Sequence, residues 1–407
     1  MDAVAPLATV HSPAKEVDGM TCSNQGSVGQ KQGSVGQEQP ETSRKHKRFD
    51  QTLAAETVDK KALAELAWSG VPMGINRCAV WQMLLSYRPL TRERRIDALH
   101  RKRSEYSDLK QNLYDRSLAV QSISKGLTMP EGTSSPDAEV SLLRQIRKDL
   151  PRTRLRSGAS CPAELLVEHP RIQALMERVL FIWAVRQPAS GYVQGLNDVL
   201  LPLMVVSLSQ RSGGDHANEE RLNAEILQTI DEEQLAEVEA DCYWCITKIL
   251  SEIFDHYTHG QPGIQRMVCR LKEIIRRIDA PLTAHLDAQG MDLLHVAFRW
   301  MTCLMVRELP MPCCLRLWDA LIAESALHSA SVADRVSAGF EALLVYFCAC
   351  FAAYFGTRLQ AMDFEAMTFF LQQMPTDTFT EAEIAVLLGE AYVLKSLFQQ
   401  APRHLSN

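Results

Sequence analysis

One repeating pattern limits the architecture of this chain more than any other. Ile264, Met267, Val268, Leu271, Ile274, Ile275 and Ile278 recur every three or four residues, with Arg266, Arg270, Arg276 and Arg277 largely on the other faces. A strand alternates every second residue and would split this set between its two sides, whereas a helix gathers it into one stripe. The stretch Ile172 to Trp183 behaves alike, with Ile172, Leu175, Met176, Val179, Leu180 and Trp183 on one face. Pro170 suits a first helical turn there, and Pro188 and Gly191 break the chain afterwards. Asn76 is a good N-cap for a helix carrying Cys78, Trp81, Leu84 and Leu85, with Ile75 and Val80 placed for a hydrophobic staple; Pro89 closes that run. Further helical runs cover roughly 58–69, 139–149, 235–256, 291–307, 312–323, 331–355 and 381–400. No succession of alternating strands joined by hairpin turns is present. The expected fold is all-α.

The first fifty-odd residues differ. They are rich in Gly, Ser and Gln and repeat GSVGQKQ as GSVGQEQ between Gly26 and Gln39. So little apolar surface cannot offset the entropy of ordering, so residues 1–56 read as a disordered low-complexity tail, with order beginning near Thr57. The basic string Arg44 to Arg48 within it is compatible with a nuclear signal or contact with anionic lipid, and is most simply a solvated linker. Thr128 to Pro136 and Ser207 to Ala217 read as polar loops inside the folded part.

Charge and cysteine usage narrow the function. A net charge of -6 argues against a nucleic-acid partner, because neutralising phosphates takes a basic surface. The start of the chain lacks the basic-then-apolar order of a secretory signal, and the 11 cysteines are an odd number, so free thiols in a reducing, cytoplasmic setting are expected. Cys242 and Cys245 form a CxxC, but Tyr243, Trp244 and Ile246 beside them suit a buried helix face better than a metal or redox site. The longest apolar run, Ala342 to Phe355, falls short of the about 20 residues that span a bilayer and reads as a core helix.

Chemistry is concentrated where polar residues meet helix breakers. In QIRKDLPRTR, Ile146 lies on the apolar face of a helix that Pro151 must stop. Arg152 would project from the turn that follows, with Asp149 close enough to hold its guanidinium in a bidentate pair. An arginine fixed in this way suits contact with phosphate or carboxylate. In ASGYVQGLND, Gly191 and Gly195 let the backbone turn tightly around Tyr192 and Gln194, and a long apolar segment follows from Val199. The Gln194 amide can both donate and accept, for instance with a water molecule. Taken separately, the two stretches are also what an ordinary surface arginine and a polar loop before a buried helix look like. A GxxxxGK[ST] phosphate loop, HExxH and GxSxG are all missing, and the eleven histidines are scattered.

In order and together, these stretches resemble the TBC domain of Rab GTPase-activating proteins. An arginine four residues before a tryptophan matches Arg77 and Trp81. An IxxDxxR motif matches Ile146, Asp149 and Arg152, followed by the usual Thr153, and a YxQ motif matches Tyr192 and Gln194 with Gly195 and Asn197 after them. LHRKRSEY, EADCYWC, QPGIQR, IDAPL, FRWMTCLMVRELP and LRLWDA are similar to the member-22 branch. The likeness covers about Gly70 to Glu324 and continues towards residue 400.

The resemblance implies a V-shaped fold of two helical subdomains: a catalytic TBC domain over 57–326, and C-terminal helices over 327–407 that complete the second subdomain. It implies a GTP-bound Rab-family GTPase as partner, Arg152 as an arginine finger and Gln194 as a glutamine finger that orients the attacking water. Asp149 would position Arg152, while Arg77 and Trp81 would support the fold. GTP and Mg²⁺ belong to the GTPase, so no cofactor and no independent active site are expected. A cytoplasmic protein peripheral to endomembranes, the Golgi among them, reached through its partner and regulating membrane traffic, is the corresponding placement. The alternative is a catalytically silent TBC module that binds Rabs or scaffolds other proteins; such modules usually lose the arginine or the glutamine, and this chain keeps both.

Overall fold

The computed structural model describes residues 40–119, 136–153, 167–211, 224–328 and 339–400. Among them every regular element is helical, and extended pairing is limited to a single bridge between Thr57 and Thr91. The disordered reading of residues 1–39, the loop at 128–135 and the start of the helix expected from 331 lie outside the described residues.

The chain runs through α1 (Pro40–Ala54), α2 (Lys60–Trp68), α3 (Arg77–Leu84) and α4 (Arg95–Leu109), which continues in a π-helical turn over Lys110–Asp115. Next come α5 (Pro136–Asp149), α6 (Pro170–Arg186), α7 (Leu196–Ser209), α8 (Ala224–Thr229) and α9 (Glu232–Glu252). The remainder is α10 (Pro262–Ile278), α11 (Ala280–Ala288), α12 (Leu293–Thr302), α13 (Met311–Leu327), α14 (Phe340–Tyr354), α15 (Gly356–Gln360), α16 (Phe364–Gln372) and α17 (Glu381–Gln400).

Helix starts follow local chemistry. Asn76 Oδ1 accepts the Ala79 N–H at 2.8 Å at the head of α3, the N-cap read from sequence. Pro170 opens α6, where its missing N–H is no loss, and His169 Nδ1 accepts the Arg171 N–H. Asp231 and Gln234 close a reciprocal capping box on α9. α10 buries its stripe of Ile264, Met267, Val268, Leu271, Ile274 and Ile275 against α14. The apolar run in α14 is buried over nearly its whole length, a core helix as expected.

Three expectations change. α1 lies inside the supposed tail: Phe49 is fully buried, Lys45 Nζ donates to the Ser69 carbonyl at 2.8 Å, and His46 Nε2 meets the Met73 carbonyl at 2.6 Å. A few tertiary anchors on α2 and the turn after it outweigh a composition that cannot form a core alone. Secondly, Ser207 to Ser209 form the last turn of α7 rather than a loop. Thirdly, the helix expected over 291–307 ends at Thr302, and Leu304 and Met305, both buried, take positive φ of 47° and 64°. Two left-handed non-glycine residues cost about 1–3 kcal/mol each. The surrounding packing holds them: Met305 N–H bonds the Trp300 carbonyl at 2.9 Å, and the Trp318 indole donates to the Leu304 carbonyl at 3.2 Å.

A boundary at 326/327 falls inside α13. That helix packs on α2, α14 and α17 together, and its Glu324 accepts from the Trp68 indole at 2.9 Å and from Lys395 of α17. The described C-terminal helices therefore share a core with the first ones, and residues from Pro40 onward form one compact unit.

Candidate functional site

The site is built on a buried anchor at α3. Asp319, fully buried in α13, accepts the Trp81 indole N–H at 2.7 Å, the Arg77 Nε–H at 3.2 Å and the Val71 backbone N–H at 2.7 Å. Arg77 also donates to the Val71 carbonyl at 2.8 Å, and Trp81 stacks on Trp318 with centroids 5.9 Å apart. Burial raises the Asp319 carboxyl above the usual carboxylate range, and Arg77 pulls it back. The arginine and tryptophan spaced four apart thus hold a carboxylate inside the protein, remote from solvent chemistry. Asp319 was not singled out in the sequence, where only its place in LRLWDA marked it.

Around Asp149 the helix α5 gives way to one 3₁₀ turn, Leu150–Arg152, as Pro151 requires. Ile146 is fully buried and seats α5 on α6. The expected pair between Asp149 and Arg152 does not form. Asp149 is buried and its Oδ2 accepts the Tyr192 hydroxyl at 3.1 Å, whereas Arg152 is exposed and makes no hydrogen bond or ion pair with any described residue. The reason is geometric: a carboxylate facing the core cannot also follow a guanidinium that leaves the turn towards water.

Instead a closed ring of hydrogen bonds joins the two motifs. The single Tyr192 hydroxyl proton lies between Asp149 Oδ2 and Asn197 Oδ1, the latter at 3.2 Å. Asn197 Oδ1 also accepts the Gly195 N–H at 3.1 Å, which fixes its amide so that Nδ2 donates to Thr153 Oγ1 at 2.9 Å. Thr153, fully buried, donates back to the Asp149 carbonyl at 3.3 Å. Burial first, then the Asp149 charge, push the Tyr192 hydroxyl well above its usual range, so it stays a donor.

Gln194 sits in the turn between Tyr192 and Gly195, exposed and without a hydrogen-bond partner among the described residues. Gly195 has φ 108°, and a Cβ there would lie 3.2 Å from Cys303 Sγ and 3.5 Å from the Thr302 carbonyl oxygen. Only glycine fits both the backbone and the gap. The end of α12 and the residue after it, Thr302 and Cys303, therefore pack directly against Gly195, next to Gln194.

Asp198, the next acid in the motif, escaped sequence reasoning. It is buried, receives the Cys303 thiol at 3.6 Å, and its Oδ1 has no hydrogen-bond partner among the described residues. Burial pushes its carboxyl up to about 6, with the Arg307 charge acting the other way. Cys242 and Cys245 are buried free thiols, with burial raising both, so the CxxC is core.

One constellation could suggest a metal. Asp255, His256 and Glu341 have ligand atoms within 4.8 Å of one another. The Arg266 guanidinium already occupies these carboxylates, at 2.8 Å from Asp255 Oδ2 and 2.7 Å from Glu341 Oε2, so the cluster is an ion-pair network.

The geometry describes a helical domain that presents one arginine and one glutamine on turns locked to each other. The profile of the Rab-GTPase-TBC domain family matches residues 76–352, and the chain belongs to this family. It is 38% identical to the GTPase-activating protein gyp1 of Schizosaccharomyces pombe, over 88% of this chain and 62% of that protein. It is 36% identical to human TBC1 domain family member 22A over 88% of this chain and 61% of that protein. The crystal structure of the Ypt/Rab-GAP domain of Gyp1p superposes with a TM-score of 0.72 and 32% identity, covering 88% of this chain and 99% of that one. This chain spans about three fifths of the length of those full-length relatives. No helix among the described residues is long and apolar enough to cross a membrane.

Proposed function

We propose that this chain accelerates GTP hydrolysis on a GTP-bound Rab-family GTPase, with Arg152 and Gln194 supplied in trans. The observation that carries this reading is the ring Asp149–Tyr192–Asn197–Thr153. It ties the two turns together while both functional side chains stay exposed and bond to none of the described residues. Phosphoryl transfer to water spreads negative charge over the γ-phosphate oxygens, and an inserted guanidinium stabilises that charge. A positioned amide aligns the attacking water, so that the nucleophile arrives already oriented. Because each turn is fixed to the other, the backbone is already ordered when the two groups engage one phosphate, and the rotamers of the two side chains carry the remaining entropy cost. GTP and Mg²⁺ are carried by the GTPase. Rab-binding on a membrane would place the domain at an endomembrane surface and let it regulate traffic there.

Single-turnover GTP hydrolysis across a panel of purified Rabs tests the proposal. At least one Rab is expected to respond, and Arg152→Ala is expected to remove about 10³–10⁵ of the acceleration. Arg152→Lys should fail as well, since a point charge lacks the planar fork. Both variants should melt like the parent, because Arg152 has no partner among the described residues to lose. Rabs that bind without any acceleration would support the silent, scaffolding reading instead.

A further inference from the structure

The basic string Arg44–Arg48 is a motif that the proposed hydrolysis does not use. It sits on α1, held against the body by the buried Phe49 and by the bonds from Lys45 to Ser69 and from His46 to Met73. Arg44, Lys47 and Arg48 share one helical face, all three are exposed, and their side chains pair with no described residue. These cations project from an anchored helix, so less ordering entropy opposes binding than in a free linker.

Arg44, Lys45 and Arg48 also line a cavity of about 310 Å³ with Glu65, Leu66 and Ser69. Glu65 is its only acid among the described residues, and Lys61 lies 4.0 Å from it. Burial and then the Arg316 guanidinium lower the Lys45 ammonium pKa, with Asp319 and Glu381 acting the other way. Met73, whose carbonyl holds His46, leaves its side chain 53% exposed beside this helix. Cations flanking an exposed apolar side chain are suited to the interface of an anionic bilayer.

We infer that the α1 cavity binds the phosphorylated headgroup of an anionic phospholipid, so that the domain contacts the membrane directly as well as through a GTPase. Each cation near an anionic surface strengthens binding about five-fold.

The test is co-sedimentation of the full chain with vesicles of phosphatidylcholine alone, and with added phosphatidylserine or a phosphatidylinositol monophosphate. Binding is expected only to the anionic vesicles and should weaken as salt is raised. Arg44→Gln/Arg48→Gln together should lower partitioning about 25-fold, with circular dichroism and hydrolysis in solution unchanged. Lys47→Gln, on an exposed side chain that pairs with no described residue, should lower it about five-fold and keeps the test open if the double variant melts early. Equal vesicle binding by wild type and both variants would overturn the inference. So would binding of inorganic phosphate, followed by titration of the protein, without binding to any vesicle. Hydrolysis in solution does not depend on this surface, so failure here leaves the GTPase reading intact, and the reverse holds too.

Discussion

The hydroxyl of Tyr192 donates to Asp149 Oδ2 at 3.1 Å, joining residues 43 positions apart. This bond makes one site of two motifs. It leaves Asp149 without a direct contact to Arg152, so any influence of the carboxylate on the arginine runs through the turn between them.

Tyr192→Phe removes that link while keeping the ring. It should destabilise the fold by about 1–3 kcal/mol, since buried Asp149 Oδ2 loses its only side-chain donor among the described residues. Hydrolysis should slow by more than the melting shift accounts for at a temperature where the variant is fully folded. Unchanged hydrolysis by the folded variant would show that the ring does not position the site.

Gln194→Ala should slow hydrolysis strongly while leaving affinity for a transition-state-mimicking GTPase complex less affected than Arg152→Ala does. A neutral amide has little charge with which to attract a partner. A Rab whose own catalytic glutamine is replaced should stay responsive to the wild-type protein and lose that response with Gln194→Ala. If the wild-type protein leaves this Rab inert, the water is not oriented by Gln194.

Trp81 is core, with its indole donating to Asp319 at 2.7 Å. Trp81→Ala should cost about 3–5 kcal/mol, read by denaturant unfolding. Trp81→Phe keeps part of the stack on Trp318 but drops the bond, and should fall between wild type and alanine. A Trp81→Ala protein that unfolds like the parent would contradict the structural role.

Asp198 makes stability depend on pH with a definite sign. Its carboxyl is raised to about 6 in the fold, above the ordinary value of about 3.9. Between these values the native state holds a proton that the unfolded chain has lost, so this group's contribution weakens as pH rises through 6. Asp198→Asn should therefore gain relative to wild type at pH 7.5 compared with pH 5, by up to about 1.4 kcal/mol, since about one pH unit separates pH 5 from the folded value. Thermal melts of both proteins at the two pH values check it. A difference independent of pH would mean that Asp198 ionises normally.

The helices carrying Ile172–Trp183 and Ile264–Ile278 were legible because side chains three and four apart must share a face. The breaks at Pro151, Gly191 and Gly195 were legible because those residues restrict or free the backbone whatever surrounds them. Trp81 and Ile146 stood out from helical spacing, and Arg152, Tyr192 and Gln194 from their place beside helix breakers, whereas Arg77 and the functional weight of Arg152 and Gln194 came from the resemblance to the TBC family. All of this is local information, and sequence by itself carries it.

Tertiary structure decided the rest. Whether Asp149 would face Arg152 or Tyr192 depended on a partner far along the chain and on which way the carboxylate was buried. Whether Pro40–Ala54 would order depended on the Ser69 and Met73 carbonyls offered by a neighbouring segment. The end of α12 at Thr302 depended on Trp318 and Trp300 holding two residues in a conformation that their own propensities oppose. In each case the deciding energy comes from contacts between distant residues, which periodicity and composition do not contain.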